Sequence, residues 1–164
     1  MANEITIYTD GAASGNPGPG GYGVVLVSGK HRLEKSGGFR LTTNNRMELL
    51  AVITGLEALK KPGSRVVVYT DSRYVADSVT KGWVFQWEAK GFRKKKNPDL
   101  WIRFLKVYRQ HNVKFVWIKG HNNHPENELC DRMAVEASRR DGLPEDTGYT
   151  PDNDNDELFN DQMI

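Results

Sequence analysis

Two short stretches of the chain close on nearly the same words, Ile7-Tyr8-Thr9-Asp10-Gly11 and Val68-Tyr69-Thr70-Asp71-Ser72. In each, β-branched and aromatic residues run up to an aspartate, the pattern of a strand that ends on an acid. If the two strands are parallel neighbours, both carboxylates reach one edge of a sheet, where α/β folds commonly place a ligand crevice. Two like charges in one site are costly unless a proton or a cation lies between them, and a hard divalent cation is the usual solution. The same aspartates could instead cap helices that follow the strands. Glu48, between Met47 and Leu49, and Asp131, followed by Met133, Ala134 and Val135, border the apolar stripes of two predicted helices. Each alone reads as a solvated boundary residue. As a set, Asp10, Glu48, Asp71 and Asp131 offer only carboxylate oxygens, which suits Mg²⁺ or Mn²⁺ rather than zinc.

His121 and His124 lie in Lys119-Gly120-His121-Asn122-Asn123-His124. No HExxH, cysteine pair or suitably spaced third histidine supports a zinc site. A loop histidine that titrates near neutrality is better cast as a proton carrier or product-release group, with a plain surface histidine as the alternative. Gly18-Pro19-Gly20-Gly21-Tyr22-Gly23 matches G-x-G-x-x-G by letter, but Val24-Val25-Leu26-Val27 continues it as a strand, whereas a dinucleotide fingerprint must open a helix. Those glycines instead allow a tight turn and close approach of backbone to something else. Trp83, Phe85, Trp87, Phe92 and Trp101 alternate with Lys81, Lys90, Arg93, Lys94, Lys95 and Lys96. Cations neutralise phosphates while aromatic faces pack on sugars or bases, so some of these rings are expected to border a groove and others to anchor helices.

The elements that must position these groups are legible from periodicity. Strands are predicted at 5–9, 20–28, 31–40, 65–70 and 113–118, with 65–70 buried on both faces. Helices are predicted over 43–59 behind a Thr42-Thr43 cap, from 71 to about 79, from Asn97-Pro98-Asp99 onward, and over 126–140. The order makes an α/β domain with a mixed sheet. With 164 residues, 38% hydrophobic and 27% charged, the chain suits one compact domain. Its apolar runs are far shorter than the roughly 20 residues of a membrane span. A single cysteine, Cys130, and an amino terminus without a signal-peptide pattern read as a cytosolic protein.

The net charge of +2 conceals a division. Residues 1–140 hold 23 Lys and Arg against 13 Asp and Glu, whereas 141–164 hold 8 acids and no base. Residues 72–119 alone carry 12 basic and 3 acidic side chains. A block of that sign points to a polyanionic partner, most simply nucleic acid.

With these segments together, the chain resembles the type 1 ribonucleases H, and among them the bacterial members. The resemblance rests on Tyr8-Thr9-Asp10-Gly11, Gly15-Asn16-Pro17-Gly18-Pro19-Gly20-Gly21, Thr43-Asn44-Asn45-Arg46-Met47-Glu48, Thr70-Asp71-Ser72, Asp99-Leu100-Trp101, Lys119-Gly120-His121 and His124-Pro125-Glu126-Asn127-Glu128 with Cys130-Asp131. It implies a ribonuclease H-like fold: a five-stranded mixed sheet, its first three strands antiparallel and the fourth and fifth parallel to the first, flanked by helices. The resemblance covers the chain to about residue 149, which gives a catalytic domain over 1–149; beyond it, 150–164 lack a sustained apolar period and read as an acidic, flexible tail. The implied activity is endonucleolytic hydrolysis of the RNA strand of RNA–DNA hybrids, leaving 5′-phosphate and 3′-hydroxyl ends; a monomer is the default expectation. Asp10, Glu48, Asp71 and Asp131 match the family's metal-binding carboxylates, for two Mg²⁺ ions with substrate bound and Mn²⁺ as a possible substitute. His121, the histidine that follows Lys-Gly, matches the catalytic-loop histidine. Asn16 and Thr43 match positions that hold a DNA-strand phosphate, and Asn44, Asn45 and Glu48 match positions on the minor groove. Trp83 and Trp101 match aromatic residues bordering the DNA-strand channel, and Arg93, Lys94, Lys95 and Lys96 form a basic protrusion that also meets substrate. Contacts of this kind go to sugar and phosphate, so little sequence specificity is expected.

The chain departs from the pattern in three places. Ala12-Ala13 stand where relatives often carry Ser or Cys, the basic protrusion is short and charge-dense, and the tail beyond Tyr149 is acidic. The tail is expected to compete weakly with nucleic acid for the protrusion. Two other readings stay open: a nuclease or strand-transfer enzyme acting on DNA, and a hybrid-binding module without catalysis, which would require a broken carboxylate set.

Overall fold

In the computed structural model of the chain, residues 4–120 and 124–151 are described. His121 and the acidic run 152–164 lie outside the described residues, and with them the expected catalytic-loop role and the expected tail competition. The order of elements is β1 (Ile5–Ala13), β2 (Gly18–Ser28), β3 (His31–Thr42), α1 (Asn44–Glu57), β4 (Arg65–Thr70), α2 (Arg73–Thr80), α3 (Trp83–Ala89), α4 (Pro98–Tyr108), β5 (Asn112–Trp117) and α5 (Pro125–Ser138). The strands form one sheet in the order β3-β2-β1-β4-β5. β1-β2 and β2-β3 are antiparallel, while β1-β4 and β4-β5 are parallel. This is the expected mixed sheet.

The core lies between the sheet and α1. Ile7, Val24 and Val68 from the strands and Met47, Leu49, Val52, Ile53 and Leu56 from α1 are buried. Gly55 makes that contact close, because a Cβ there would stand 2.7 Å from Ile7 Cγ2. α5 covers the other face, over β1, β2 and β3. Arg32 of β3 holds the start of that helix through a two-pronged bond to Glu126, at 2.5 and 2.8 Å. No described helix is long and apolar enough to cross a membrane.

Two expectations are corrected. β1 does not end at Asp10 but runs on to Ala13, because glycine-rich β2 keeps pairing with it through Asp10↔Gly23 and Ala13↔Gly20. β4 is buried on one face only: Val66, Val68 and Thr70 are buried, whereas Val67 and Tyr69 are half-buried. The cause is that α5 lies over the β1–β3 side, leaving Tyr69 to stack on Tyr8 at 5.2 Å between centroids. The stretch 83–89, read for its rings and charges, folds as α3 with Val84 and Trp87 turned inward.

Candidate carboxylate active site

Asp10 and Asp71 meet because of register. β1 and β4 pair in parallel up to Tyr8↔Tyr69, so two residues further on Asp10 lies beside Asp71. Neither aspartate caps a helix. Asp10 sits inside β1 with Oδ1 accepting from Gly11 N–H at 2.9 Å, and α2 is capped by Ser72, whose Oγ accepts from Val75 N–H at 3.2 Å. The capping alternative therefore fails.

Glu48 reaches them because α1 starts almost on top of β1. Thr43 caps that helix, its Oγ1 accepting from Arg46 N–H at 3.2 Å. A Cβ at Gly11 would stand 2.4 Å from both Glu48 N and Met47 C, so only glycine lets the strand pass this turn. The same logic brings in Asp131. A Cβ at Gly23 would be 2.4 Å from Cys130 O, and one at Gly21 would be 2.3 Å from Ala134 O. The glycine-rich segment thus lets the backbone of α5 lie directly on β2, which swings Asp131 toward Asp10. Cys130 is buried beneath, its thiol donating to Tyr8 O at 3.3 Å.

The result is a concentration of negative charge with little compensation. One carboxylate oxygen from each of Asp10, Glu48 and Asp71 lies within 4.8 Å of the others. Glu48 Oε1 and Asp71 Oδ1 are buried and accept no hydrogen bond among the described residues. Burial, then the charges of Asp71 and Asp131, push the Asp10 carboxyl up to about 8. Burial and the charges of Asp10 and Asp71 hold Glu48 well above the ordinary carboxylate range. Buried oxygens without donors are what a hard cation satisfies, and the all-oxygen set fits a divalent metal. Asp131 borders the same cleft from α5.

The rim is built from several elements. Asn45 lies beside Glu48 on the cleft wall. Asn44 is tied into the loop after β1, its N–H donating to Asn16 Oδ1 at 2.9 Å and its own Oδ1 accepting from Ala13 N–H at 2.5 Å. On the far side the segment after β5 passes close to Asp71, where a Cβ at Gly120 would be 3.1 Å from Asp71 Oδ2. His124 and Lys119 line this narrower part of the cleft with Asn127.

Of the aromatic and basic residues, Trp83 is half-buried with Lys81 Nζ 5.2 Å from its ring centroid. Trp101 is a correction: it is fully buried and presents no face to a channel. Its Nε1–H donates instead to Tyr74 Oη at 2.7 Å, so it backs the cleft wall at second hand. Its place on the inward stripe of α4, with Phe104 and Leu105, was the signal for burial. Arg93 and Lys94 are exposed, Lys95 lies with Nζ 5.7 Å from the Trp87 centroid, and Lys96 is buried. The protrusion is wound tightly, with Phe92, Lys94 and Asn97 all near φ +60°.

Two groups escaped the sequence reading. Arg46, 2% exposed, donates to both oxygens of Asp99 at 2.8 and 2.9 Å, to both of Asp146 at 2.7 and 3.0 Å, and to Asn97 Oδ1 at 3.2 Å. It joins α1, the start of α4 and the segment after α5. Arg73 lies on the cleft rim with its guanidinium 4.3 Å from the Trp117 centroid, and Trp117 Nε1–H donates to Asp71 O at 3.0 Å. Arg46 stands inside the quoted Thr43–Glu48 motif, but nothing local says that an arginine will be buried. Arg73 follows Asp71-Ser72 directly and could have been weighed as a rim cation.

Comparison with known proteins agrees with this geometry. The family model described as RNase H matches residues 2–139. The chain is 56% identical over 151 residues to a ribonuclease H of Trichodesmium erythraeum, covering 89% of this chain and 96% of that one. Among solved structures, LC9-RNase H1, a type 1 RNase H with the type 2 active-site motif, is similar at a TM-score of 0.75 and 31% identity, over 84% of this chain and 73% of that chain. LC11-RNase H1 in complex with RNA/DNA hybrid is similar at a TM-score of 0.58 and 31% identity, over 81% and 95%.

Proposed function

Because the chain belongs to the ribonuclease H family, we propose that it hydrolyses the RNA strand of RNA–DNA hybrids endonucleolytically, leaving 5′-phosphate and 3′-hydroxyl ends. The observation that carries this reading is the Asp10–Glu48–Asp71 cluster beside an open cleft, in which Glu48 Oε1 and Asp71 Oδ1 are buried and accept no hydrogen bond among the described residues. A relative of the same fold binds an RNA/DNA hybrid, which supports the substrate class.

Asp10, Glu48, Asp71 and Asp131 would hold two Mg²⁺ ions when hybrid is bound, with Mn²⁺ as a substitute. The bound ions supply a lowered pKa for the attacking water and stabilisation of the leaving oxygen. The chain's own residues bind, orient and select. Asn16, Thr43, Asn44 and Asn45 offer neutral polar groups on the α1 side, suited to sugar and phosphate rather than to base edges, so sequence specificity is low. The 2′-hydroxyl identifies RNA in one strand, and a groove fitted to deoxyribose rejects RNA in the other. Trp83, Arg93 and Lys94 suit the DNA strand, by ring face and by charge. His121, which lies outside the described residues, is assigned proton transfer or product release on its place after Lys119-Gly120. The catalytic domain is assigned to 1–149, with the acidic tail at 150–164; Asp146 bound to Arg46 supports placing the boundary after it. The protein is taken to act as a cytoplasmic monomer.

The test is cleavage of one end-labelled RNA strand presented alone, as an RNA duplex, or in an RNA–DNA hybrid, each with Mg²⁺ or with EDTA. Internal cuts in the hybrid that require Mg²⁺ are expected. Equal cutting of all three, or cutting in EDTA, overturns the reading.

A further inference from the structure

Beyond Asp131 the cleft does not close. Asp131 borders both the carboxylate cleft and a second depression along α5 walled by Arg132, Val135 and Arg139. Val135 and Arg139 in turn wall a groove of about 830 Å³ that extends to Ala12, Ala13 and Arg40. Shared walls make these one track, from the carboxylates along the outer side of α5 to the end of β3.

The track is basic. Arg40, Arg132 and Arg139 are exposed and make no side-chain hydrogen bond or ion pair with any described residue. Of the acids beside them, Asp131 belongs also to the carboxylate cleft, Glu136 is bonded to Arg140 at 3.3 Å, and Asp141 lines the groove. Complementing the carboxyl end of a helix is reason enough for Arg139 and Arg140. It does not account for Arg132, beside Asp131, or for Arg40 on another element. Arg132 and Arg139 are seven residues apart, so they share one helix face about 10.5 Å apart along the axis. Ala12 and Ala13, which follow Asp10 along β1, line the groove with small apolar side chains.

We propose that this track seats RNA-strand phosphates to one side of the bond that is cut, with Arg132, Arg139 and Arg40 as the contacts. The proposal rests on the hybrid-cleaving reading above. The RNA strand is assigned because the strand that passes the carboxylates is the one that can continue past Asp131.

The test is hybrid binding in EDTA, read by fluorescence anisotropy over a salt series, for wild type and Arg40→Gln/Arg139→Gln. A long hybrid is compared with one too short to leave the carboxylate cleft. On the long hybrid the double variant should bind about tenfold more weakly, and the slope of log K against log salt should fall by about 1.8, the value for two lost phosphate contacts. On the short hybrid the two proteins should match. Charge-neutral methylphosphonate linkages in the RNA strand, but not in the DNA strand, should erase the difference. An unchanged affinity and slope, or erasure by the DNA strand instead, overturns the track. Mg²⁺-dependent cleavage is scored separately on wild type, so loss of the ribonuclease reading and loss of the track give different results.

Discussion

Two charge clusters lie on different sides of the start of α1, and they are built on opposite principles. Arg46 is enclosed by Asp99, Asp146 and Asn97, with both carboxylates gripped at two points. Glu48, two residues on, faces Asp10 and Asp71, and its Oε1 has no donor among the described residues. The first cluster holds α1, α4 and the segment after α5 together. The second stores repulsion that a divalent cation would relieve. A charge buried with its partners serves stability, whereas charges buried without them are sustained by the surrounding fold for the sake of chemistry.

The sharpest break between the clusters is Asp10→Asn. Cleavage of a hybrid should fall by at least about 1,000-fold, roughly 4 kcal/mol of barrier, while hybrid binding persists. Full activity in that variant would falsify the metal assignment. Arg46→Met should act on stability instead, lowering the unfolding free energy by about 3–5 kcal/mol because Asp146 is left buried without its partner. Urea unfolding measures it, and a loss below about 1 kcal/mol would mean that the cluster does not hold the helices together. Gly11→Ala tests the frame that links them. Its Cβ has no room against the backbone of Met47 and Glu48, so a loss of about 1–3 kcal/mol is expected, together with lower activity as α1 is pushed off β1. Wild-type stability and wild-type activity in this variant would show that the close approach is not needed.

The smallest effect is the pH dependence of the metal-free protein. Asp10 titrates near 8 in the folded chain against an ordinary value near 3.8, so between these limits the folded state binds the extra proton. Stability should therefore fall as pH rises from about 4 to about 8. Thermal unfolding in EDTA across that range checks the sign, with Mg²⁺ expected to reverse the loss. Asp10→Asn should flatten the dependence and raise Tm at pH 8 by about 3–6 °C. A wild-type curve that rises over the same range contradicts the repulsive cluster.

Much of this was legible in the chain itself. The strand patterns ending in Asp10 and Asp71, the apolar period behind Glu48, and the Thr43 cap are local signals, and periodicity reports local structure well. The same signals misplaced the end of β1, because pairing with β2 depends on a partner strand and not on β1's own residues. Trp101 shows the limit at a single residue: the family resemblance placed it on a channel wall, and only the packing of α4 decided that the ring faces inward. Arg46 shows it again, since its partners Asp99 and Asp146 are 53 and 100 residues away.

The amino-acid sequence by itself determined which groups could do chemistry, the class of cation they would take, and the α/β order of elements, because residue type and short-range spacing carry that information. The tertiary structure alone decided which of those groups meet and which are spent on holding the fold. Distances between residues far apart in sequence are set by register and by how closely backbones can approach, here at Gly11, Gly21 and Gly23.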